Sequence, residues 1–89
     1  MGPVAEQMKA RLEAAFAPSR LEIVDDSEKH AGHAGHREGG ESHFTVTIES
    51  AAFAGLGRVE RQRRVNHALA EELAGPVHAL SIRAVAPGD

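Results

Sequence analysis

The chain has 89 residues, 42% of them hydrophobic and 26% charged, with a formal net charge of -3 and no cysteine. Such a length suits one small domain near the lower limit for an unaided core, so most apolar residues are expected to be structural. The charge argues against a general polyanion binder, and the missing cysteine excludes disulfides, catalytic thiols and thiolate ligands from this chain. Any metal site must draw on His, Asp, Glu or a partner's groups. No apolar run approaches the roughly 20 residues of a membrane span, and Glu6 stands where a secretory signal would be apolar. A cytoplasmic protein without membrane contact is expected.

In chain order, Pro3 suits a first helical turn, and Val4, Met8, Leu12 and Phe16 recur every four residues with Ala5 and Ala15 beside them. They predict an amphipathic helix that ends near Ala17, because Pro18 disfavours helical geometry in the residue before it. Leu21, Ile23 and Val24 then read as a short strand running into the polar turn Asp25-Asp26-Ser27. The next stretch, HAGHAGHREGGESHF from His30 to Phe44, sets His30, His33 and His36 at spacing three among Gly and Ala. With almost no apolar surface to bury, residues 28–41 are expected to form a flexible loop whose histidines are either accidental or ligand donors.

Alternation resumes after Ser42. Phe44, Val46 and Ile48 share one face of a second strand, with His43, Thr45, Thr47 and Glu49 on the other. Gly55 and Gly57 punctuate a connection to a helix from Arg58 to Leu73, whose inward arc is read as Val59, Val65, Leu69 and Leu73. Its other arc carries Arg63, Arg64, His67 and Glu71. After Gly75-Pro76, residues Val77 to Val85 form a third strand with Leu80, Ile82 and Ala84 on one side. The predicted buried centre is Phe44, Val46, Ile48, Leu69, Leu73, Leu80 and Ile82. The fold class is therefore α+β, a three-stranded mixed sheet with both long helices on one face.

That order has a geometric consequence. Strands two and three, joined through a helix, should run parallel with a right-handed crossover, so their first residues lie about 5 Å apart when they are neighbours. His78 then stands beside the exit of the histidine loop, where it and one loop histidine could grip one ion.

The same residues carry a resemblance. The stretches LEIVDDS with His30, GESHFTVTIES, Phe53 to Gly55, the R.R.VN.AL.EEL pattern of Arg61 to Leu73, and PVHALSI resemble the BolA family over nearly the whole chain. The resemblance implies one BolA-like domain over residues 1–89, an αββαβ unit similar to a class II KH fold, with a short extra helical turn before the second long helix. It also implies a role in iron-sulfur cluster handling with a monothiol glutaredoxin, or in transcriptional regulation.

Carried onto this chain, the family's C-terminal ligand histidine matches His78. Its second ligand comes from the loop between strands one and two, as His or Cys by subtype, and only the histidine subtype fits here. Counting from Asp25-Asp26-Ser27 selects His30, whereas counting back from Ser42-His43-Phe44 selects His33 or His36. The latter two lie nearer the strand that adjoins His78. A 2Fe-2S cluster takes four ligands, and two histidines can replace two cysteines on one iron. The glutaredoxin and its glutathione would supply the other two, so the cofactor would be shared in a heterodimer, with a monomer or weak homodimer otherwise.

Another functional class is nucleic-acid binding through Arg58, Arg61, Arg63 and Arg64 at the start of the second long helix, with DNA as partner. The GxxG loop of a KH domain is absent between the helices, where only Gly55-Leu56-Gly57 stands. Enzyme activity is not expected, because Ser42 and His43, adjacent on a strand, should point to opposite faces. His43 and His67 are read as structural or solvated, and Phe16, Phe44 and Phe53 as core.

Overall fold

The computed structural model describes residues 2–27 and 40–89. Helix α1 spans Pro3–Phe16, with Pro3 in its first turn and Ala17 closing it in the left-handed region at φ 43°. Strand β1 covers Arg20–Asp25 and β2 His43–Glu49. A 3-10 turn at Ala51–Phe53 leads to α2 (Arg58–Ala68), α3 (Ala70–Ala74) and β3 (Ala79–Val85). The sheet runs β1-β2-β3, with β1 antiparallel and β3 parallel to the central β2, and pairs Ile23 with Val46 and Val46 with Ile82. This is the α+β architecture read from the periodicities, and the 3-10 turn is the extra helical turn that the family resemblance implies. Among the described residues no helix is long and apolar enough to cross a membrane.

The core forms where the central strand meets the helices. Phe44, Val46 and Ile48 of β2 are buried, as are Met8 and Leu12 of α1, Val65 of α2, and Leu69, Phe53 and Val77. Phe16 packs at this core's edge, its ring centroid 4.9 Å from that of Phe53. Leu73, Leu80 and Ile82 are only partly buried. For Leu80 and Ile82 the reason is that β3 is an edge strand, covered by a neighbour on one side alone.

Two readings of the second helical region need correction. The helix bends at Leu69, whose ψ of 21° ends α2 and begins α3, although N–H to O bonds from Leu69 to Val65 and from Leu73 to Leu69 carry the ladder through. Val59 is 70% exposed rather than inward. Six residues from Val65, it lies about 120° round the helix, while Arg61 at four residues falls near the inward face. Arg61 accordingly takes the place assigned to Val59. Strand β3 also starts two residues later than Val77, because the Val77 N–H is held by the Glu72 carbonyl at the end of α3.

One buried charge accompanies this packing. Glu72 is 3% exposed; one carboxylate oxygen accepts the Arg11 Nε at 2.7 Å and the other has no partner among the described residues.

Candidate functional site

Residues 25–27 and 40–43 form a hydrogen-bonded clip at the mouth of the sheet. Its centre is the buried Ser27 hydroxyl, which accepts the backbone N–H of Ser42 at 2.9 Å and of His43 at 3.3 Å, with the Ser42 hydroxyl 3.4 Å away. Asp25 takes the N–H of Ser27 at 2.9 Å on one oxygen and that of Glu41 at 3.0 Å on the other. Burial opposes ionisation of Asp25. The Ser27 hydroxyl and the two N–H groups, with the charge of His43, nevertheless hold its carboxyl below the ordinary value of 3.8.

The clip also reaches the first helix. Gly40 and Glu41 both adopt positive φ, 75° and 61°, and this bend sends the Glu41 carboxylate to the N-terminus of α1, where it accepts the Ala5 N–H at 3.0 Å. An anion at a helix N-terminus meets unpaired N–H groups and the positive end of the dipole. Gly2 packs directly on that carboxylate, which leaves no room for a Cβ.

From this clip two imidazoles emerge side by side. The parallel register pairs His43 with Ala79, and the Ser42 carbonyl accepts the N–H of His78 at 2.7 Å and of Ala79 at 3.2 Å. His78 therefore lies just before the strand, is not bound by its alternation, and is exposed rather than sharing the face of Leu80. Its ring stacks on that of His43, with centroids 6.3 Å apart and planes 20° from parallel. The Ser42 hydroxyl meets His43 Nδ1 at 2.9 Å. That contact corrects the expectation that Ser42 and His43 face apart, because Ser42 occupies the bend before β2. With a fully buried hydroxyl, Ser42 positions the ring rather than standing open to a substrate.

His78 thus sits at the strand mouths as expected, beside an unexpected neighbour in His43. The register already implied that neighbour, since the first residue of β2 lies against the start of β3. His30, His33 and His36, and most of the 28–41 segment expected to be flexible, lie outside the described residues. Among the described residues no cluster of three His, Asp or Glu could hold a metal ion. Without a cysteine, and with only His78 and His43 side by side here, the described residues do not make a self-contained metal centre.

The arginines separate. Arg61, with a side chain 15% exposed, donates to the carbonyls of Leu56 at 2.9 Å and Ala84 at 3.3 Å and pairs with Asp89. Arg63 and Arg64 are exposed and pair with Glu60 at 3.8 and 3.2 Å, while Arg58 is exposed. The four do not form one free patch.

The family model described as BolA-like protein matches residues 12–89. The chain belongs to the BolA family. It is 46% identical over 86 residues to BolA-like protein 1 of Mus musculus, across 97% of this chain and 60% of that protein. It is 40% identical over 79 residues to the DNA-binding transcriptional regulator BolA of Vibrio cholerae, across 89% of this chain and 71% of that one. Among solved structures, BolA1 from Arabidopsis thaliana superposes with a TM-score of 0.88 at 37% identity, covering 100% of this chain and 98% of its own. The chain spans 60% of the length of the mouse relative.

Proposed function

We propose that this BolA-family chain acts in iron-sulfur cluster assembly or trafficking, or in iron regulation, by sharing a 2Fe-2S cluster with a monothiol glutaredoxin. The observation that carries this reading is the exposed His78, whose backbone N–H is held at the mouth of β3 by the Ser42 carbonyl and whose imidazole stacks on His43. His78 is one ligand, and one of His33, His36 or His30 is the second. Chain length supports the loop donors, because Ser27 and Ser42 are tied together. Three residues past Ser27, His30 stays within about 11 Å of it, and His36 within about 14 Å of Gly40. The partner's cysteine and glutathione would provide the thiolates that this chain lacks, and the shared cluster would supply electron storage or transfer. Ser42 holds the neighbouring His43 ring beside His78. The role is that of a partner rather than an enzyme, in the cytoplasm. Mixing the chain with a monothiol glutaredoxin, glutathione, iron and sulfide under anaerobic conditions should give a visible spectrum distinct from that of the glutaredoxin homodimer. An unchanged homodimer spectrum would oppose the proposal.

The second reading is nucleic-acid binding through the exposed Arg58, Arg63 and Arg64, with Arg61 bracing the fold. The Vibrio relative's name favours it. Phosphate contacts would make affinity for mixed DNA fall steeply with salt.

A further inference from the structure

Beyond the histidine site, the opposite end of β3 carries a groove of a different kind. It holds about 580 Å³ and is lined by Leu56, Arg58, Arg61, Gln62 and residues 82–85. Three arginines, Arg58, Arg61 and Arg83, line it, and no carboxylate is among its lining residues. Asp89 is seated on Arg61, and Arg83 also borders the sheet face that carries Glu22 and Glu49.

The backbone along the groove is a sheet edge, because among the described residues β3 pairs with β2 alone. Which groups face out follows from the ladder. The Ala79 N–H and Val85 carbonyl bond toward β2, through Ser42 and Ser50. In a parallel ladder a residue turns its N–H and carbonyl to the same side, so residues 80, 82 and 84 face away from β2. The bond from Arg61 to the Ala84 carbonyl confirms that direction. Ile82 therefore presents an outward N–H and carbonyl in the groove.

We propose that this outer edge of β3 is a strand-addition site for an extended acidic peptide, which pairs with the backbone of Ile82 and lays carboxylates on Arg58 and Arg83. An added strand gains affinity from main-chain bonds and selectivity from side-chain pockets. Here Leu56 and Ile82 give the apolar floor and the arginines the charge. A second copy of this chain does not fit, since its own edge would set arginine against arginine. Arg61 covers the Ala84 carbonyl and fixes where the pairing ends. The site lies outside the histidine centre and does not depend on the cluster reading.

The test is amide-resolved NMR of the whole chain titrated with an acetylated six-residue peptide, Glu-Glu-Val-Glu-Glu-Val, which offers carboxylates on both faces of an added strand. Shifts should concentrate at residues 58–62 and 82–85, with slowed hydrogen exchange at the Ile82 amide. R58Q with R83Q, both exposed, should weaken binding about tenfold at low salt. The same peptide N-methylated at its centre should not bind. Equal binding of the N-methylated peptide, or no shifts at millimolar peptide, would overturn the proposal. So would an eight-residue oligothymidine that moves the same amides more tightly than the peptide, which would make the groove a nucleic-acid site.

Discussion

Ser27→Ala tests the clip that places both imidazoles. The substitution removes one hydroxyl oxygen, leaving the Ser42 N–H, bonded at 2.9 Å in a fully buried residue, without its acceptor. The His43 N–H loses a longer bond of 3.3 Å at a half-buried position and contributes less. One orphaned buried donor costs about 1 to 3 kcal/mol, against a total stability of roughly 5 to 15 kcal/mol for a domain of ordinary size. With a urea dependence of about 1 kcal/mol per molar for so small a protein, the unfolding midpoint should drop by about 1 to 3 M. Ser19→Ala is the control, since that exposed hydroxyl bonds to Glu49 at the surface, and it should shift the midpoint by less than about 0.5 M. Circular dichroism against urea measures both. Equal small shifts would refute the claim that the Ser27 hydroxyl ties the clip together.

Leu69→Ala, at a fully buried side chain, should destabilise by about 2 to 5 kcal/mol, whereas Ile82→Ala on the half-covered edge strand should fall at or below the low end of that range, as read by chemical unfolding. Asp25 sets an acid limb. Because its folded carboxyl is held below 3.8, its stabilising share is present above that value and is lost as pH falls through the lower folded value, so Asp25→Asn should flatten stability against pH below about 4. Arg61→Gln should lower the melting temperature, whereas Arg63→Gln should leave it within about 1 °C, since only Arg61 is bonded to strand and turn carbonyls.

Element order, sheet topology and the central strand were legible because period-two and period-four patterns survive in the sequence of a small core. Phe44, Val46 and Ile48 read correctly since β2 is covered on one face by helices and on both edges by strands. Val59 misled because an apolar residue at a helix start was joined to the arc without regard to the 3.6-residue turn. The inward place went to Arg61, whose long side chain satisfies carbonyls that an apolar residue would leave bare. The bend at Leu69 carries no glycine or proline and so left no local signal. At the site, His78 was found from parallel geometry, but Ser27, Glu41 and His43 were not. Their roles depend on bonds between segments 15 or more residues apart, and a serine in a polar turn looks the same whether it is solvated or the anchor of a buried clip.

In the proposed function, His78 ligates an iron of a cluster shared with a monothiol glutaredoxin. Pulsed electron paramagnetic resonance of the reduced heterodimer measures it directly, because nitrogen bound to iron gives strong hyperfine coupling that thiolate ligation lacks. The wild-type complex should show this coupling. His78→Ala should lose the signature of one imidazole while keeping wild-type circular dichroism, and joint replacement of His30, His33 and His36 should remove the other. A wild-type complex without strongly coupled nitrogen, or a His78→Ala complex with an unchanged spectrum, would contradict the assignment.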